Sequence, residues 1–236
     1  MTGTPFHHPR PTLQKANHKS MAKGRKDFYG IHAASAEQAF VIAAANSRLK
    51  AMKCLIADGV NMNAQPDGHS ALHESARMGL LRSAQLLIAE RADLNLLDTY
   101  EMTPLMAACA AGKTKGSKVA LMLLRAGADA TVVRAGDEMT ALKFAVKHST
   151  PEVLQALIDA GAYVDGPPGT DQTALMLAAR ANNVKSLKVL VENGADVSLA
   201  CKLPWAEGRT AEGLAELEKR RAALTYLRQI RGEVRA

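Results

Sequence analysis

Apolar positions in this chain fall in short runs of helical spacing, separated by polar turns that carry glycine, and the pattern keeps returning. Its clearest copy is Thr103-Pro104-Leu105-Met106-Ala107-Ala108-Cys109-Ala110-Ala111-Gly112. Thr103 offers a hydroxyl to a first-turn amide that has no partner of its own. Pro104 suits the first helical position, where the N–H it lacks would be unpaired. Leu105 points inward, the small Ala107-Ala108 pair admits a neighbouring helix at close range, and Gly112 ends the helix. The same start recurs as Ser70-Ala71-Leu72-His73, Thr140-Ala141-Leu142-Lys143 and Thr173-Ala174-Leu175-Met176. It recurs more loosely as Thr210-Ala211-Glu212-Gly213, and Gln38-Ala39-Phe40-Val41 stands in the same frame upstream. From Gln38 onward the starts are 32, 33, 37, 33 and 37 residues apart.

A second marker follows each start. An apolar helix (Met52–Ile56, Leu86–Ile88, Val119–Leu124, Leu154–Ile158, Leu187–Val191) leads into a turn of the Gly-Ala-Asp type. These turns are Gly59-Val60-Asn61, Arg91-Ala92-Asp93, Gly127-Ala128-Asp129, Gly161-Ala162-Tyr163 and Gly194-Ala195-Asp196. The third comes three residues late because Lys113–Lys118 adds loop residues. A period near ~33 with this helix start resembles the ankyrin repeat.

The resemblance implies an all-α repeat solenoid of helix-turn-helix units joined by β-hairpin loops. About five repeats are expected, near 37–66, 67–98, 99–134, 135–168 and 169–205, with a C-terminal capping helix pair near 206–230; a single long terminal helix is the alternative. The repeat domain would span 36–230. Residues 1–35 read as a disordered basic tail without a periodic apolar face, and 231–236 as a second basic tail. In the family, the His at the position of His73 bonds the capping hydroxyl of its own repeat. Met106, Lys143 and Met176 stand there in the other repeats and are expected to lose that tie. Arg91 replaces a turn glycine, which implies mild local strain.

Charge is unevenly distributed. The formal net charge is +7. Residues 1–27 carry +5 and residues 209–236 carry +3, so the repeats between them are close to neutral. No run approaches the ~18 apolar residues of a membrane span, and no apolar leader with a cleavage site is expected at the N-terminus. Cys54, Cys109 and Cys201 are odd in number and without metal spacing, which favours a reducing compartment and a cytoplasmic location. His7, His8 and His18 make a weak metal site on a tail, and neither metal nor cofactor is expected.

The sequence contains no Gly-x-Ser-x-Gly elbow, no His-Glu-x-x-His pair and no Cys-x-x-Cys couple. The loop Gly112-Lys113-Thr114-Lys115-Gly116-Ser117-Lys118 lacks the spacing and the preceding strand of a phosphate-binding loop and reads as an insertion between helices. The expectation is therefore a non-enzymatic adaptor or scaffold that binds a protein partner. Ankyrin repeats present their hairpin tips and the end of each first helix to the partner, which nominates Arg77, Met78, Tyr100, Met102, Lys147, His148, Arg180 and Trp205. Arg77, Lys147 and Arg180 are expected to form a basic stripe suited to an acidic or amphipathic segment. Two alternatives are association with nucleic acid or acidic surfaces through the basic tails, and a secreted effector that engages host proteins.

Overall fold

The computed structural model describes residues 26–112 and 114–234. Among these lie one two-stranded hairpin, twelve α-helices and one 3-10 turn, Pro204–Ala206. The helices come in pairs: α1 (Ala36–Ala45) with α2 (Leu49–Ala57), α3 (Ala71–Arg77) with α4 (Leu81–Ala89), and α5 (Pro104–Ala110) with α6 (Lys115–Arg125). Then follow α7 (Ala141–His148) with α8 (Pro151–Asp159), α9 (Ala174–Arg180) with α10 (Val184–Glu192), and α11 (Ala211–Leu217) with α12 (Arg221–Val234). The odd-numbered helices stack on one another as an inner layer, and the even-numbered ones stack as an outer layer.

Each expected cap is made. The hydroxyls of Ser70, Thr103, Thr140, Thr173 and Thr210 accept the backbone N–H three residues on, at 3.2–3.4 Å. Leu72, Leu105, Leu142 and Leu175 occupy one position of successive inner helices, two after the cap, while α11 has Glu212 there and turns Leu214 inward instead; all five leucines are buried. Leu55, Leu87, Leu123, Leu157 and Leu190 form the matching row in the outer layer. Full burial of one such side chain contributes about 1.5–3 kcal/mol, so the two rows are the main cohesive term of the stack. The tips are sewn together by backbone and Asx bonds. Thr99 N–H donates to the Gly68 carbonyl at 3.1 Å and Lys202 N–H to that of Asp171 at 2.9 Å. Asn63 Oδ1 accepts from Asp93 N–H and Asn95 Oδ1 from Asp129 N–H, each at 2.9 Å.

Several boundaries differ from the sequence expectation. Strands β1 (Lys26–Phe28) and β2 (Ile31–Ala33) pair antiparallel inside the stretch assigned to a tail. Ile31 and Ala33 are buried, and Arg48 holds the hairpin by donating to the Gly30 carbonyl at 3.0 Å. Two apolar residues in alternation were too short a signal to register as a strand. Helix α1 begins at Ala36, two residues before Gln38, capped by Ser35, whose hydroxyl accepts from Gln38 N–H at 3.2 Å. Helix α6 starts at Lys115, so Gly116 and Ser117 are buried helical residues rather than loop. Gly116 has no side chain because a Cβ there would sit 2.3 Å from the Ala108 carbonyl oxygen. The terminal segment is the expected helix pair, but α12 continues through Val234, into the stretch assigned to the C-terminal tail. The expectations for residues 1–25, including His7, His8 and His18, lie outside the described residues. Arg91 does adopt φ +63°, as its place in the turn demands.

Candidate functional site

Between the second and third repeats the inner layer and the tips enclose a cavity of about 420 Å³. Its floor is Met102, Ala107, Ala110 and Ala111, small or apolar because the α3–α5 approach leaves no room for more. One wall is organised by Asp98. Its Oδ1 accepts Tyr100 N–H at 2.8 Å and Met102 N–H at 2.9 Å, an Asx turn that fixes the tip. Its Oδ2 lies 3.1 Å from His69 Nδ1. The His69 ring in turn stacks on Tyr100, with centroids 5.6 Å apart and planes 23° apart. Tyr100 is 65% exposed, although it is held on one face. The opposite rim is Arg77, paired with Glu74 at 2.6 Å; that carboxylate raises the pKa of the guanidinium.

Of the nominated residues, the structure brings Arg77, Tyr100 and Met102 together around this cavity, with exposed Met78 beside Arg77. His69 joins them from the hairpin tip at 67–69, and Glu74 and Asp98 also line the cavity without having been nominated. The Asp98-to-Tyr100 spacing was the available signal, since an Asp two residues before an aromatic marks an ordered tip. Lys147 and His148 are exposed at the end of α7, away from the cavity. Arg180 and Trp205 meet at the far end, where the guanidinium lies over the indole, 4.5 Å from its centroid. Arg180 also pairs with Glu218 at the end of α11.

The expected basic stripe is therefore corrected. Glu74 pairs with Arg77, and Glu218 pairs with both Arg180 and Arg220, so Lys147 is the member of the three without an ion pair among the described residues. Trp205, still 45% exposed, covers the joint between the last repeat and the cap.

A family model described as ankyrin repeats (3 copies) matches residues 23–98, 40–134, 77–164 and 110–201 in overlapping windows. The chain belongs to the ankyrin repeat family. It is similar to neurogenic locus notch homolog protein 1 of Homo sapiens and of Mus musculus, 34% identical over 143 residues in each. That region is 60% of this chain and 6% of the relatives' length. Notch homolog protein 2 of Homo sapiens is 32% identical over 144 residues, with the same coverage. A chain in the solved structure of a predatory endopeptidase from Bdellovibrio bacteriovorus in complex with an immunity protein shares the fold. It has a TM-score of 0.70 and 23% identity, covering 80% of this chain and 96% of that one.

The ankyrin frame also explains the buried polar residues beneath the cavity. His73 Nδ1 is 2.8 Å from the Ser70 hydroxyl, and Nε2 is 3.0 Å from the Met102 carbonyl oxygen. Facing a carbonyl, Nε2 must carry the proton, which leaves Nδ1 as acceptor for Ser70. Burial lowers the His73 pKa below 6.5. Because the unfolded chain takes up that proton first, stability falls as pH drops below 6.5 and levels off above it. His73→Met, which copies Met106 and Met176, is expected to cost about 1–2 kcal/mol at pH 7 through the lost hydrogen bonds. It should also flatten the stability profile between pH 6.5 and 5 in urea titrations; an unchanged slope would contradict this assignment.

Lys143 corrects another expectation, since it keeps a polar tie in a different form. Its Nζ is buried and donates to the Glu138 carbonyl at 2.9 Å and to Thr170 Oγ1 at 2.8 Å, linking the fourth repeat to the fifth. Desolvation lowers its pKa. No helix among the described residues is long and apolar enough to cross a membrane.

Proposed function

We propose that this ankyrin repeat protein is a non-enzymatic adaptor, active in the cytoplasm, that seats an amphipathic segment of a partner protein in the cavity between its second and third repeats. The observation that carries the reading is the cavity itself: an apolar floor large enough for one or two side chains, beside an aromatic tip that is rigid yet 65% exposed. Aromatic and arginine side chains held in place contribute most to protein interfaces, because little entropy is lost when they dock. With Arg77 and Arg180 already paired, apolar anchoring outweighs general attraction to acids. The polar groups of the cavity are committed to the fold, with Asp98 saturated by two amides and His69. That favours binding over catalysis.

Affinity capture from the native cell, with mass spectrometric readout, tests this. Ala110→Arg fills the floor and Tyr100→Ala removes the anchor; each is expected to weaken capture of one defined protein about thirtyfold while the melting temperature moves little. Equal capture by wild type and both variants would remove the cavity from consideration.

A further inference from the structure

The outer helices segregate charge. Among α2, α4, α6, α8, α10 and α12, only α8 has an acid in its first turn, Glu152. The other five carry bases at or near that end: Lys50, Arg82, Lys118, Lys185, Lys188 and Arg221 are all exposed. None of these six forms an ion pair with a carboxylate among the described residues. At the α8 level exposed Glu152 interrupts the row, and its carboxylate attracts Lys185. At the opposite ends α2, α4, α8 and α10 carry Asp58, Glu90, Asp159 and Glu192, whereas α6 and α12 end on Arg125 and Arg231.

This arrangement runs against helix stability. A helix N-terminus is a positive pole, and cations there are unfavourable, as are acids at the other end. The bases also repel one another, because stacked helices bring successive levels within about 8–10 Å. Five of the six levels carry a base, along an edge about 40–50 Å long. The charges are mostly lysines, point charges that protein–protein interface cores deplete but that suit phosphate oxygens. Their linear order fits a linear polyanion better than a sheet of lipid headgroups. The exposed aromatics Tyr100, Tyr163 and Trp205 lie on tips and turns, and Tyr29, beside Lys50, has its hydroxyl tied to Asp58, so a single aromatic at one end of the edge gives no platform for stacking successive unpaired bases. We propose that the edge formed by the outer-helix N-termini binds the phosphate backbone of a nucleic-acid duplex without reading its sequence. It is a second surface, independent of the cavity.

The test uses the full chain and a 30-base-pair DNA duplex, followed by fluorescence anisotropy between 50 and 200 mM salt. Wild type is expected to bind with an affinity that falls steeply as salt rises, because bound phosphates release counterions. The triple variant Lys50→Glu/Arg82→Glu/Lys185→Glu should bind at least about tenfold more weakly, with a salt slope shallower by about three. Its melting temperature should hold or rise, since acids now face the positive poles; Lys50→Gln/Arg82→Gln/Lys185→Gln should weaken binding in the same direction. Ala110→Arg should leave duplex binding unchanged. Equal affinity of wild type and both triple variants would assign the binding to other bases and overturn the proposal. So would tighter binding to phosphatidylserine vesicles or to polyglutamate than to the duplex.

Discussion

Gly79→Ala is expected to lower stability by about 3 kcal/mol, against about 1 kcal/mol for Gly161→Ala. Both glycines end or follow a helix with positive φ, +65° and +90°, so both alanines meet the same left-handed strain. The surroundings differ. A Cβ at Gly79 would lie 2.4 Å from the Lys115 Cβ and 2.9 Å from its carbonyl carbon, whereas nothing stands within 4 Å of one at Gly161. Relief at Gly79 requires moving the start of α6 away from the α3–α4 turn, at the junction that also accommodates the inserted residues. Urea unfolding followed by circular dichroism measures both; equal losses would show that backbone strain alone governs these positions.

Arg180→Glu is expected to cost about 2 kcal/mol, the sum of a lost stacking contact, a lost half-buried ion pair and a new repulsion with Glu218. Arg180 and Glu218 are 33% and 23% exposed, so solvent screens the pair only in part. The loss should begin at the cap. Trp205 is the chain's one tryptophan, and its emission should change at lower urea than the helical signal in the variant. The swap Arg180→Glu/Glu218→Arg should return only part of the ion-pair share, because Glu218 also pairs with Arg220, and none of the share from stacking. An unaltered unfolding midpoint would mean that the joint rests on α9–α11 packing alone.

What the chain made legible was whatever repeats with a fixed register. Thr103-Pro104-Leu105 and its copies announce a cap, a start and an inward leucine, and the structure places every one of those leucines in the core. Pairings between repeats are a different matter. Arg180 meets Glu218 across 38 positions, and Lys143 meets Thr170 across 27. Neither distance is a multiple of the period, because one partner sits on a tip or in the cap, where the spacing drifts. The face a residue occupies follows from its place in the frame; the charge that neutralises it there does not. That is why Arg77, Tyr100 and Met102 were found on one surface while the basic stripe was overstated. The β1–β2 hairpin stayed hidden for another reason. It precedes the first repeat, and its two buried residues, Ile31 and Ala33, become apolar cover only once α1 is present to receive them.

The most direct measurement of the central claim, that a partner protein docks over the cavity, is site-specific photo-crosslinking in the native cell. A benzophenone side chain is placed at Tyr100, beside the cavity, and in a separate protein at Tyr163, which is 50% exposed on a turn outside it. The account predicts one discrete protein adduct from position 100, suppressed by Ala110→Arg, and none from position 163. The same adducts from both positions, or an adduct at 100 that survives the filled floor, would contradict it.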